Sequence, residues 1–186
     1  MRGKSSKNEW DHFKTFKERG EWVELLFMAA AALHGYHVLK PWGESLAYDV
    51  GIEHGGNLLR VQVKSTIVRN GTGYFCQFRR NYLVKQPYSL DHLDLFAAYI
   101  VPERIWYLIP ASVILTPTVK VAVMLYPVTA LKQDRYKYEH YREAWDLLKK
   151  TREELNDVTR KANKKDRAGK AAPKRCPSAN ASVRDE

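Results

Sequence analysis

Polar and apolar side chains alternate along Ala47-Tyr-Asp-Val-Gly-Ile-Glu-His54, and again along Asn57-Leu-Leu-Arg-Val-Gln-Val-Lys64. A period of two marks strands with one face buried. Gly55-Gly56 lies between the two runs, and a Gly-Gly pair supplies the positive φ angles of a tight hairpin turn. With that turn, His54 opposes Asn57, and counting back sets Asp49 opposite Gln62. Directly opposed residues share a face, with Cβ atoms about 4.5–5.5 Å apart. Tyr48, Val50, Ile52, Leu59, Val61 and Val63 then form a wholly apolar second face. A slip of one residue would mix the two faces, so the pattern pins its own register.

Around the hairpin the periodicity changes. Residues 8–34 read as helix, with Trp10, Phe13 and Phe16 near helical spacing and Gly20 as a break or kink. From Trp22 to Leu33 the helix is apolar almost all round, which predicts burial. Gly35 suits its C-terminal stop. Tyr36 to Lys40 reads as a short strand, and residues 41–45 as a loop. A turn is expected at Asn70-Gly71-Thr72-Gly73, a strand at 74–80 and loop or short helix at 81–91. Further strands are expected at 93–101, 105–109 and 119–125, with a helical turn after Pro110. A last helix is expected over 138–163, with Tyr141, Trp145, Leu148, Thr151 and Leu155 on one side. Lys164 to Glu186 has almost no apolar bulk and reads as a disordered basic tail. This order gives an α/β sandwich, a mixed central β-sheet flanked by helices, with the hairpin central. The domain is expected over 1–163 and the tail over 164–186.

The chain has 186 residues and a net charge of +10, enough length for one well-cored domain. Lys149 to Arg175 carries eleven basic against four acidic side chains. Such a segment suits a polyanion, although a solvated tail is the plainer reading. No apolar run spans a bilayer and no secretory h-region follows the N-terminus, so a cytoplasmic protein without membrane contact is expected. Two cysteines, Cys76 and Cys176, make neither a disulfide framework nor a zinc site.

What remains on the polar face of the hairpin is a carboxylate, an amide and an ammonium: Asp49, Gln62 and Lys64. Such a trio can hold a divalent metal beside a phosphodiester, though antiparallel hairpins also place these residues in water without function. Glu24 is the single charge inside the apolar helix, and a carboxylate there is costly unless paired or bound. Arg60 lies on the same hairpin face. Arg69, Arg79 and Arg80 have aromatic neighbours, as on nucleic-acid surfaces.

The chain resembles the PD-(D/E)XK nuclease superfamily, nearest to its group I intron-associated homing endonucleases, with a further likeness to archaeal Holliday-junction resolvases. The resemblance rests on Gly20-Glu-Trp-Val-Glu24, Gly35-Tyr-His-Val, Pro41-Trp-Gly-Glu-Ser, Tyr48-Asp49 and Leu59-Arg-Val-Gln62-Val-Lys64-Ser65. It continues in Asp94-Leu-Phe-Ala-Ala-Tyr99 and Trp106-Tyr-Leu-Ile-Pro110. It implies a restriction-endonuclease-like fold and a metal-dependent DNA endonuclease. Asp49 matches the metal-binding aspartate, Lys64 the active-site lysine and Glu24 the helix glutamate. Gln62 falls where most members carry Asp or Glu, and where the intron-encoded branch carries glutamine. Tyr48 stands in place of the name-giving proline. The implied metal is Mg²⁺, with Mn²⁺ as substitute, held by Asp49, Gln62 and the Val63 carbonyl. Contacts to DNA fall to Arg60, Ser65, Arg69, Arg79 and Arg80. Cutting both strands usually takes two sites, so a homodimer or homotetramer is expected. Two other functions fit the residues: a non-catalytic nucleic-acid-binding protein that keeps the fold, and an interaction or membrane-surface protein working through the basic C-terminal helix.

Overall fold

Thr15 begins the first helix. Its hydroxyl accepts from the Glu18 N–H at 3.1 Å, and the Glu18 carboxylate accepts from the Thr15 N–H at 3.2 Å. That reciprocal pair is a capping box. A computed structural model describes residues 10–43, 45–79, 88–116, 122–127 and 137–169, with side chains of the last helix to Arg160. In it α1 spans Phe16–Leu33. The expected start at residue 8 is corrected to Phe16, because the capping box fixes the first turn there. Gly20 leaves the helix unbroken. At the far end Gly35 has φ +83°, with Tyr36 N–H bonded to Ala31 and Gly35 N–H to Ala32. This is a Schellman stop.

The chain continues through β1 (His37–Leu39), β2 (Val50–His54), β3 (Asn57–Thr66), β4 (Arg69–Asn70) and β5 (Gly73–Gln77). Then come β6 (Leu95–Ile100), β7 (Ile105–Pro110), α2 (Ala111–Ile114), β8 (Ala122–Leu125) and α3 (Arg152–Gly169). Among the described residues, one sheet has the order β1-β2-β3-β6-β7. It is mixed: β3 and β6 are parallel and the other neighbours antiparallel. The hairpin strand β3 is its middle strand, as expected. Parallel neighbours need a long crossover, and here residues 67–94 make it. That crossover contains β4 and β5, which join β8 in a second sheet, β4-β5-β8.

The two faces of the main sheet have different covers. On one, Val23, Phe27 and Ala31 of α1 are fully buried over Val50, Ile52, Leu59 and Val61. Phe27 meets Trp106 edge-on at 5.4 Å and stacks on Trp145 at 5.9 Å. On the other face, Phe78 and Tyr88 pack edge-on against Phe96 at 4.9 and 5.5 Å. The expectation that α1 is buried all round is corrected. It has one covering layer, so Leu25 and Leu33 remain exposed.

The expected helix over 138–163 is also corrected. Two short 3-10 turns, Glu139–Tyr141 and Trp145–Lys149, precede α3. Between them Glu143 adopts φ +48°, a left-handed value that breaks a helix. It is held there by sheet contacts. The Glu143 N–H bonds the Trp106 carbonyl at 2.9 Å, and the Glu143 carboxylate accepts from Trp106 N–H and Trp145 Nε1 at 2.6 and 2.8 Å. Tyr141, Trp145, Leu148 and Leu155 still point inward and are buried. Their spacing reported a buried side, not a continuous helix. Thr151 and Glu154 cap α3 reciprocally. The helix runs on to Gly169, past the expected end at 163. Residues 170–186, with the rest of the basic segment and Cys176, lie outside the described residues. So do the ends of the expected strands at Arg80 and 119–121.

Candidate active site

Gly55 and Gly56 take φ +57° and +79°, and the turn they make pairs His54 with Asn57 and Val50 with Val61. One residue beyond β2, the Asp49 N–H still bonds the Val61 carbonyl at 2.9 Å. Asp49 therefore faces Gln62, as the register predicted. Two donors converge on Asp49 Oδ2: the Gln62 amide nitrogen, and the Val63 backbone N–H at 2.9 Å. The Gln62 nitrogen also reaches the Val63 carbonyl at 3.3 Å. Both partners of that nitrogen are acceptors, which sets the orientation of the amide.

The environment of Asp49 is electrically expensive. Burial pushes its carboxyl up to about 6, and the negative charge of Glu24 adds to the rise. The Val63 N–H, the Lys64 ammonium and the Gln62 amide oppose it without cancelling it. Glu24 arrives from α1 and is half-buried. The ammonium of Lys40, the residue after β1, is hydrogen-bonded to its carboxylate. Lys64 follows Gln62 on the same face of β3, and its Nζ lies 5.3 Å from the Tyr88 ring centroid. A cation over an aromatic face gains electrostatic attraction, and its range of motion narrows. Glu24, Lys40, Asp49, Lys64 and Arg79 all line one open cleft of about 950 Å³. Gln62 sits beside Asp49 and is buried.

The remaining sequence-derived residues divide. Arg79 is exposed in the cleft wall. Arg69 is exposed on β4, where its Nε donates to the Gly71 carbonyl at 3.2 Å, and it is not in the cleft lining. Arg80 lies outside the described residues. Ser65 alternates to the opposite face of β3 from Lys64, because successive strand residues point oppositely. Arg60 shares the polar face but is engaged elsewhere. Its guanidinium binds the buried Asp94 through Nε and Nη2 at 2.9 and 2.8 Å. It acts as a strut of the fold.

Sequence reasoning missed Lys40 and Tyr88. Lys40 ended an expected strand, and nothing in the chain signalled that its partner lay on the preceding helix. Tyr88 sat in an unassigned loop, where no periodicity could give it a face. Cys76 is buried, and burial pushes its thiol up to about 12, so it is not a ready nucleophile. Among the described residues, no three His, Cys, Asp or Glu side chains form a metal cluster, and no helix is long and apolar enough to cross a membrane.

A mixed sheet with this hairpin at its centre, α1 on one face and an acid–amide–lysine cluster at the cleft defines a restriction-endonuclease-like fold. The chain belongs to the PD-(D/E)XK endonuclease family, whose model matches residues 14–148. Among solved structures, a bacterial homing endonuclease is similar at TM-score 0.60 and 25% identity, with 84% of this chain and 99% of that one covered. A Holliday junction resolvase of the archaeon Archaeoglobus fulgidus is similar at TM-score 0.46 and 11% identity, with 71% and 97% covered. No curated protein matches the sequence.

Proposed function

We propose that this chain is a divalent-metal-dependent DNA endonuclease that hydrolyses phosphodiester bonds with Asp49, Gln62, Lys64 and Glu24. One observation carries the reading: Asp49, Glu24 and Lys64 line one cleft, with Asp49 held at about 6 by burial and by the second carboxylate. Placing two acids at such cost has a purpose where a cation relieves it. The donor set fits a hard cation such as Mg²⁺, with Mn²⁺ as substitute, because every donor is an oxygen. Asp49 would hold it directly, and Glu24 through water. A turn of the Gln62 amide about its soft terminal torsion would present Oε1 and release the Val63 carbonyl.

A bound divalent cation supplies Lewis-acid neutralisation of phosphate charge and a more acidic water. The protein supplies the rest. Lys64, steadied over Tyr88, orients the attacking water and counters charge developing on the phosphoryl oxygens. Lys40 and Arg79 offer cations to flanking phosphates. The similarity to a homing endonuclease supports a DNA substrate. Two-strand cutting would bring two copies together, as a homodimer or homotetramer.

Gln62→Glu adds a third carboxylate to the site. It should lower the stability of the metal-free protein and tighten Mn²⁺ binding about tenfold, read by calorimetric titration. Unchanged affinity would remove Gln62 from the ligand set. Binding of labelled duplex DNA should weaken steeply as salt rises, because phosphate contacts release counterions. A flat salt response would exclude that mode of binding.

The Gln62 nitrogen resting on Asp49 is the observation that favours the second reading, a binding protein without catalysis. Supercoiled, linear and four-way-junction DNA, incubated side by side with Mg²⁺ or with EDTA, separate the two. The endonuclease reading expects EDTA-sensitive cutting of at least one substrate. DNA binding without any cutting would leave the binder.

A further inference from the structure

Trp42 is 99% exposed, an unusual position for the largest apolar side chain. It lies in the loop between β1 and β2, whose Gly43 takes φ +77°. Both ends of the loop are tied to the cluster. Lys40 is bonded to Glu24 at one end, and Asp49 follows at the other. Pro41, Gly43 and Leu46, on either side of the indole, line the cleft itself. Residues on both sides of Trp42 therefore line the cleft that holds the carboxylates.

The same cleft is lined by four cations, Lys17, Lys40, Lys64 and Arg79, beside three carboxylates, Glu21, Glu24 and Asp49; the cations suit the phosphates of a polyanion. A solvent-exposed indole whose chain neighbours line such a cleft has the chemistry of a base-stacking platform or an apolar wedge between base steps. We infer that Trp42 contacts DNA, stacking on a base next to the scissile phosphate and so setting which phosphate reaches Asp49 and Lys64. This rests on the endonuclease reading above and adds a substrate-positioning residue to it. Trp42 touches no core residue, so its replacement tests binding and not folding.

The test uses the full chain with fluorescein-labelled duplex and four-way-junction DNA, with Ca²⁺ in place of Mg²⁺ so that binding is read without cutting. Trp42→Ala should raise Kd about fivefold to 150-fold, the range for losing one base–aromatic stack. Trp42→Phe should keep most of the affinity. The emission present in wild type and missing from Trp42→Phe should be quenched by acrylamide in the free protein and shielded once DNA is added. Wild-type affinity in Trp42→Ala, with that emission still quenchable on DNA, overturns the inference while leaving a DNA-cutting enzyme intact. A change in oligomer mass for Trp42→Ala, without loss of DNA affinity per site, overturns it too and assigns the indole to a second copy. Absence of DNA binding by wild type would overturn both this inference and the endonuclease reading.

Discussion

Asp49→Asn should abolish phosphodiester hydrolysis and, in the same molecule, stabilise the metal-free fold. The loss of activity is expected at about a thousandfold or more, the scale of several kcal/mol of charge stabilisation removed from a transition state. The gain in stability follows from the raised Asp49 carboxyl, at about 6 against 3.8 in the unfolded chain. Between those values the native state binds more protons than the unfolded one, so stability falls as pH rises through the window. Above about pH 6 the cost is fully present, on the order of 1–3 kcal/mol. Asparagine does not titrate, and its amide can still accept from the Val63 N–H. The variant should therefore melt higher than wild type in EDTA at neutral pH. The difference should close as pH drops below about 4, where Asp49 is protonated in both states. A variant less stable than wild type at neutral pH would mean that the burial cost is absent.

Asp94→Ala should be strongly destabilising, on the scale of truncating a fully buried aromatic side chain. The Asp94 side chain is 2% exposed and holds Arg60 through both of its oxygens. The backbone N–H of Arg60 adds a third bond at 2.9 Å, and Arg152 of α3 a second ion pair at 3.2 Å. Arg60 also caps the carbonyls of Asp91 and Leu90, at the entry to β6. One carboxylate thus ties β3, the β6 entry and α3 together. Its removal leaves the Arg60 guanidinium, only 19% exposed, without its counter-charge. Breaking a buried pair from one side costs about 3–5 kcal/mol, a large fraction of a domain's total. Urea unfolding should show a loss of that size. Asp94→Leu combined with Arg60→Met should recover part of it, because no unpaired charge remains. A loss below about 1 kcal/mol for Asp94→Ala would show the strut to be incidental.

The hairpin was legible because three local signals agreed: alternation, a Gly-Gly turn and one apolar face. Asp49 opposite Gln62 follows from counting alone. The Trp10, Phe13, Phe16 spacing extends ahead of the helix, whose first turn is set by the Thr15–Glu18 capping box, a pair of polar residues that apolar periodicity does not register. The region around Glu143 failed for a different reason. Its left-handed backbone is stabilised by Trp106 and Trp145, contacts that no local window contains. The second sheet was missed because its pairing of β5 with β8 joins segments far apart in sequence. The same limit explains the site. Strand parity could place Arg60 on the face of Gln62 and Lys64, but not foresee that Asp94 would claim it. Nor could it bring Lys40 to Glu24 or Tyr88 beneath Lys64.

The central question is whether these side chains form one hydrolytic centre. The most direct measurement compares nicking of supercoiled plasmid by wild type and by Lys64→Ala in Mg²⁺, with DNA affinity determined in parallel. Wild type should cut in Mg²⁺ and stop in EDTA. Lys64→Ala should fall to background while still binding DNA within a few-fold of wild type. Equal cutting by the two proteins would contradict the assignment.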